Sequence, residues 1–326
     1  MNQQTRQNFK LILMIGIYVL LGIVGVYSFT LIFLAPLLMT PMAIFLMGNK
    51  KNYKRDLFIH LIISMLLYVF TNSIQEVLLY IVSVAVPAHI FVTCYRKKLA
   101  LPQIAMYTGV GMIAVFYLYI IGMKYMQVDY IQMYNSLLDA AKSQYEIMFN
   151  ELVANQNQAI SAEVSKQLAS MKRQILDSVD VLKYLYPTML LQTGVALGVI
   201  GTIFITFIGR LKKWRMLPLV QFANFKFSKW MSGLLLVSGF VALFMGNGSN
   251  EVLALATNLY FFTMYLLQII GLIASIMFVK KSKLATTTRT MVIVLCVLTY
   301  FTVPFIMMIV GLADTLFNFR KVDIIV

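Results

Sequence analysis

Long stretches without Asp, Glu, Lys or Arg dominate the chain: 11–49, 57–75, 77–95, 99–123, 184–209, 230–250, 252–279 and 290–313. A helix crossing a hydrocarbon core of about 30 Å at about 1.5 Å per residue needs roughly 20 apolar residues. Each run therefore predicts an apolar helix. The first is too long for one, since a single helix over 11–49 would need extreme tilt. It is predicted to fold back near Ser28–Leu31 into spans at 11–28 and 31–48. The fold class is all-α and polytopic, with nine transmembrane helices. A cleaved signal peptide is not expected, because the apolar run passes well beyond an h-region of about 7–15 residues.

One segment breaks the apolar pattern. Residues 124–185 hold seven of the 12 acidic residues and six basic ones. Apolar residues recur there at helical spacing, first Ile131, Tyr134, Leu138, Ala141, Tyr145, Met148 and Leu152. A second series runs Val164, Leu168, Met171, Ile175 and Leu182. Both predict amphipathic helices with a heptad-like seam, joined by a turn at Asn155–Gln158. An antiparallel hairpin follows, because both ends return to apolar spans. It reads either as a hairpin packed on itself or as a docking arm for a partner. The domains are then 1–123 with five spans, the hairpin 124–185, and 186–326 with four spans.

Composition agrees. Sixty per cent of the 326 residues are AVILMFWYC and 12% are charged, against about half and about 25% in soluble domains. The net charge of +15 does not imply nucleic acid, whose partners gather basic residues on one solvated face. Nineteen of the 27 Lys and Arg instead sit in short clusters at alternate span ends: Arg6 and Lys10, Lys50–Arg55, Arg96–Lys98, Arg210–Lys229 and Lys280–Arg289. The positive-inside rule places these clusters and the N-terminus in the cytoplasm. The hairpin 124–185 is then extracytoplasmic, and a count of nine places the C-terminus outside as well. The clusters also favour contact with the lipid bilayer's anionic headgroups.

Trp214 and Trp230 flank an aromatic and basic segment, 214–230, read as an inner-surface element or as a docking surface for a cytoplasmic protein. Gly194, Gly198 and Gly201 share one helix face, as do Gln268, Gly271 and Ser275, and such stripes allow close helix approach. Pro36, Pro41, Pro87 and Pro304 lie inside spans and predict kinks.

Motif-borne chemistry is sparse. There is no GxxxxGK[ST], HExxH or GxSxG, and no catalytic constellation or cofactor is expected. Cys94 and Cys296 predict neither a disulfide nor a metal cluster. His60 and His89 sit at similar depth on antiparallel spans and can meet, but a metal site would need a third ligand. Glu76 reads as an acid at the turn between two spans. Asn258, Gln268 and Gln192 are amides within spans that need partners, either other helices or a ligand. The ligand-binding candidates are therefore His60, His89, Asn258, Gln268 and Gln192.

The end of the chain runs Gly311-Leu312-Ala313-Asp314-Thr315-Leu316-Phe317-Asn318-Phe319-Arg320-Lys321. With Leu267–Gly271, Asn258, the Pro36–Pro41 region, the insert ending at Pro187 and the Phe222–Trp230 segment, it resembles the YybS-like family of bacterial integral membrane proteins. The resemblance covers essentially the whole chain and singles out Gly271, Asp314, Phe319 and Arg320. It departs from the family at Ile270, where Gly is usual, and at Leu316, where Trp is usual. The resemblance implies a multi-pass protein of the bacterial cell membrane. Its first spans look like the substrate-binding subunits of energy-coupling-factor vitamin transporters, which hold a small molecule and depend on partner subunits. Those subunits dock through Ala-rich faces, whereas the first span here offers Gly16, Gly22 and Gly25. Two readings stay open. One is a non-enzymatic, transport-related protein binding a small solute between helices. The other is a membrane scaffold or regulator acting through the insert and the basic, aromatic inner surface.

Overall fold

The computed structural model describes residues 3–27, 33–49, 52–155, 162–244, 250–322 and 324–326. Its α-helices are α1 (Gln3–Ile23), α2 (Ala35–Met47), α3 (Tyr53–Thr71), α4 (Ile74–Arg96), α5 (Leu101–Tyr125) and α6 (Tyr130–Asn155). They continue with α7 (Ala162–Tyr184), α8 (Tyr186–Leu211), α9 (Lys229–Phe244), α10 (Asn250–Lys281), α11 (Thr286–Thr302) and α12 (Pro304–Phe317). The reversals expected at Ser28–Leu31 and at Gln156–Gln158 lie outside the described residues. Four of these helices are long and apolar enough to cross a membrane: Ile74–Arg96, Leu101–Tyr125, Tyr186–Leu211 and Glu251–Lys281. The segments Asn8–Ile23, Ala35–Met47 and Lys229–Ala242 are apolar but shorter, and α3 opens on Lys54, Arg55 and Asp56.

Local chemistry sets the boundaries. Asn52 caps α3 by accepting from the Arg55 backbone N–H at 3.1 Å, and Ser73 caps α4 through Glu76 N–H at 3.4 Å. Between them Asn72 takes the left-handed conformation, φ 50°, that ends α3. Pro304 starts α12 immediately after Val303, and α11 and α12 are bent by 109°. The run 290–313, expected as one kinked span, therefore doubles back.

The chain divides into two compact units. One comprises Met1–Tyr119, Leu191–Leu235 and Thr263–Val326; the other comprises Ile120–Leu190 and Leu236–Phe262. The first unit joins segments that were expected to form separate N- and C-terminal membrane domains, and glycines are the reason. A Cβ on Gly198 would overlap the carbonyl oxygen of Ala105, and one on Gly109 would overlap that of Gly194, so α5 and α8 meet backbone to backbone. Gly271 and Gly311 do the same for α10 and α12 against Met307 and Leu267. In the same unit α1 packs on α3 and α2 on α4.

Many loop ends of this unit share one face. Arg96 donates to the carbonyls of Leu46 (2.7 Å) and Asn49 (3.2 Å), and Tyr95 donates to that of Arg215 (2.8 Å). The Leu101 N–H reaches Gln221 Oε1 at 2.9 Å. At the same face Phe225–Lys226 (β1) pairs in parallel with Ile324–Ile325 (β2), and Gln103 donates to the Ile325 carbonyl at 2.9 Å. The C-terminus thus lies on the side of the 214–230 segment. The expectation that these two lie on opposite sides fails, because the break at Pro304 returns the chain to the face it left.

The second unit holds the hairpin. Lys142 pairs with Asp180 at 2.6 Å, Lys183 with Asp139 at 2.6 Å, and Lys172 donates to Asn150 at 2.9 Å. Each step forward along α6 is matched by a step back along α7, which makes the pair antiparallel. The seam follows the expected one in part. Tyr134, Leu138, Ala141, Leu168, Ile175 and Leu182 are half-buried and Phe149 and Val179 are buried, whereas Ile131, Tyr145, Met148, Leu152 and Met171 are exposed. The cross-helix ion pairs flank this contact.

Candidate functional site

The first unit contains a cavity of about 800 Å³ between α1, α2, the start of α3 and the end of α8. Most of its polar lining lies toward the basic face: Asn8 and Lys10 in the first turns of α1, Arg55 in the first turn of α3, and Asn49, Lys212 and Trp214 just past the ends of α2 and α8; Tyr18 and Thr40 lie deeper. Its apolar lining comes from deeper turns, including Met14, Ile17, Leu37, Ile44 and Phe204. Ligand pockets typically enclose about 300–1,000 Å³, with apolar walls and a few convergent polar groups.

Tyr18 belongs to the cavity wall and is itself buried. Its hydroxyl donates to the Leu38 carbonyl at 2.7 Å and accepts from the Met42 N–H at 3.0 Å. Residues 38 and 42 are the two ends of one step in the α2 hydrogen-bond ladder, so the phenol is inserted into that ladder. Pro41, without an N–H, sits in the same turn. Behind Tyr18, the ring of Tyr80 stands edge-on at 5.7 Å, and Tyr27 packs on Tyr80 at 5.6 Å.

Tyr80 leads to the two histidines. Its hydroxyl lies 2.8 Å from His60 Nδ1, and His60 Nε2 lies 2.9 Å from His89 Nε2. Three neutral groups satisfy this chain in two polarities. Tyr80 O–H donates to His60 Nδ1 while His60 Nε2–H donates to His89, or both bonds run the other way. The Nε2–Nε2 distance suits a hydrogen bond and is short for two imidazoles on one zinc, roughly 3.3 Å apart at bond lengths of about 2.05 Å. Among the described residues no group of three or more His, Cys, Asp or Glu gathers to hold a metal.

A local irregularity brings Tyr80 and His89 to the same neighbour. Nine positions apart on an ideal helix, at roughly 100° per residue, they would point in opposite directions. The π-helical turn Ile81–Ala85 lies between them, ahead of Pro87. Its wider turn takes back roughly one residue of rotation, and such turns recur at functional sites.

The sequence candidates separate. None of His60, His89, Gln192, Gln268 and Asn258 lines the cavity. The histidines stand behind it, through Tyr80 and Tyr18. Gln192 is half-buried on α8, and Gln268 is buried on α10. Asn258, in the second unit, is consumed by helix packing. Its Oδ1 accepts from Thr188 N–H (3.1 Å) and Oγ1–H (2.7 Å), and its amide donates to the carbonyls of Tyr184 (2.7 Å) and Ala254 (2.8 Å). Of the choices between helix partners and a ligand, the helices hold this residue.

The motif residues at the chain end are structural neighbours. Asp314 and Arg320 form an ion pair at 2.8 Å with both side chains fully buried. The guanidinium also donates to the carbonyls of Ala223 (2.8 Å) and Phe225 (2.6 Å), which anchors the strand pair. Gly271 is the α10–α12 contact, and Phe319 is exposed, stacked on Phe317 at 5.5 Å. Sequence reasoning missed Tyr18, Tyr27 and Tyr80. Tyrosines within apolar runs, which need a hydroxyl partner once buried, were the available signal.

No curated protein matches the chain, and no solved structure matches it. A family of membrane proteins matches residues 16–315, nearly the whole length. The chain belongs to the family described as "Predicted membrane protein (DUF2232)", and with its several apolar helices it is a multi-pass membrane protein.

Proposed function

We propose that this protein is transport-related and binds a small solute in the cavity between α1, α2, α3 and α8, with any energy supplied by a partner. The observation that carries the reading is a cavity of about 800 Å³ whose polar groups mostly converge at one end. Behind its wall, the hydrogen-bonded Tyr80–His60–His89 set meets Tyr18 through an edge-on ring contact. The resemblance to the YybS-like family, and through it to energy-coupling-factor binding subunits, points the same way. No reaction is assigned to the chain. In this reading α1, α2, α3 and α9 also cross, the doubled-back α11–α12 pair does not, and the basic face with both termini is cytoplasmic. The hairpin is then extracytoplasmic.

The test is thermal unfolding of the purified protein against a panel of vitamins, metabolites and phospholipids. A stabilising compound whose effect disappears in Ile17→Trp, which fills the cavity wall, supports the reading. No response to any compound overturns it.

One observation favours the scaffold reading for the hairpin. Met133, Leu137, Ile147 and Met148 on α6 are 45–69% exposed and lie on one side of the helix, as an unsatisfied contact face would. Deletion of 130–184 with membrane insertion intact and partner capture lost would support it.

A further inference from the structure

We infer that the occupant of this cavity is a phospholipid with an acidic headgroup, drawn from the surrounding bilayer. Its chain lies along the apolar trough and its headgroup at the mouth formed by Lys10, Lys212 and Trp214. The inference rests on the cavity reading above and assigns the ligand's chemistry.

Three observations converge. First, the lining is graded by depth. Asn49 and Lys212 lie just past the ends of α2 and α8 and Lys10 lies about two turns into α1, while Ile17, Leu37 and Phe204 stand deeper on the same helices. From Asn49 back to Leu37 the trough descends about 18 Å along α2, close to half of a hydrocarbon core of about 30 Å. That is the depth of one leaflet.

Second, the walls are too apolar for a soluble anion. Ile17, Leu37 and Phe204 keep 38–50% of their surface exposed. A small anion would occupy only the mouth, whereas an acyl chain fills the apolar trough below it.

Third, the mouth carries unbalanced positive charge. Arg55 is held by Asp56 at 2.7 Å, so its charge is largely offset. Among the described residues neither Lys10 nor Lys212 has a carboxylate within ion-pair distance. The Lys212 ammonium lies 5.7 Å from the centre of the Trp214 ring, and Trp rings favour the headgroup level of a bilayer. Cations at that level attract acidic headgroups and have no such attraction for zwitterionic ones.

The experiment is thermal unfolding of the full chain in detergent, titrated with phosphatidylglycerol, phosphatidylcholine or inorganic phosphate. Phosphatidylglycerol is expected to raise the melting temperature more than phosphatidylcholine does, and phosphate alone not at all. Lys10→Gln with Lys212→Gln is expected to weaken the phosphatidylglycerol effect roughly 30-fold, from the typical worth of two basic residues near a membrane surface. Lys280→Gln with Lys281→Gln, at another basic cluster, is expected to leave it unchanged. Ile17→Trp is expected to abolish it, and Leu37→Trp blocks the same trough from the α2 side should the first variant misfold. Equal effects of the two lipids, an equal effect of phosphate alone, or equal losses in the two lysine pairs would each overturn the assignment. If the lipid fails in one of these ways while a panel solute still loses its effect in the tryptophan variants, the cavity reading survives without the lipid. If the tryptophan variants change no ligand's effect, both fall.

Discussion

Arg320 offers the sharpest test of how the C-terminal part is held. Its side chain and that of Asp314 are fully buried, with Nε 2.8 Å from Oδ2. Arg320→Met leaves the Asp314 carboxylate without its counter-charge and the Ala223 and Phe225 carbonyls without their donor. Breaking a buried pair from one side costs about 3–5 kcal/mol, and a buried acceptor left unpaired costs about 1–3 kcal/mol. The single variant should therefore lose at least about 4 kcal/mol, allowing for incomplete additivity. Asp314→Leu combined with Arg320→Met buries no charge and should recover part of that loss, retaining only the cost of the two carbonyls. Equilibrium unfolding in mixed micelles measures both, and protease sensitivity of the last residues reports release of β2. A loss below about 1 kcal/mol for Arg320→Met, or a double variant worse than the single one, would refute the reasoning.

Other consequences follow from particular contacts. Gly271→Ala drives a Cβ into the Met307 carbonyl oxygen and should cost about 1–3 kcal/mol or more. Gly16→Ala meets nothing within 4 Å and should be neutral or gain up to about 1 kcal/mol, as unfolding curves would show. In the hairpin, the Lys142 hydrogen bond holds the Asp180 carboxyl below its ordinary 3.8, and the Asp139 hydrogen bond holds the Lys183 ammonium above its ordinary 10.5. A lowered acid stabilises above its unfolded value and loses that support as pH falls through the folded one. A raised base stabilises below its unfolded value and loses support as pH rises through the folded one. Amide protection factors in α6 and α7, corrected for the intrinsic pH dependence of exchange, should therefore stay flat through neutral pH and fall only at the acidic and alkaline extremes; a fall between pH 6 and 8 would contradict the pairing. Finally, a tag after Val326 and one in the 97–100 loop should be accessible from the same side of the membrane.

Much of the fold was legible because lipid-facing helices announce themselves as charge-free runs, and most runs did become helices. The small-residue stripes were legible too, since Gly198 and Gly271 carry no side chain and their neighbours close on them. What was not legible depended on geometry between distant residues. The 109° break at Val303–Pro304 looks in sequence like any kink, so the pairing of the C-terminal strand with the 214–230 segment was not foreseen. The hairpin seam was legible in part: Leu138, Leu168, Ile175 and Leu182 do turn inward, whereas Phe149 and Val179, which the apolar series omitted, are its most buried members. Meeting of the two histidines was readable from antiparallel spans. Their link to Tyr80 was not, because a π turn changes which residues share a face. Asn258 looked like a cavity amide, and only the position of Thr188 shows that it is a helix clamp. The cavity itself is drawn from four helices far apart in sequence, with a lining of ordinary apolar residues that no motif marks.

Native mass spectrometry of the detergent-extracted protein tests the central claim most directly, because it reports whether the trough is occupied without presupposing the ligand. The account predicts an intact species heavier than the bare chain by one bound molecule, with the added mass absent from Ile17→Trp. Bare protein alone, or the same added mass in both proteins, would contradict it.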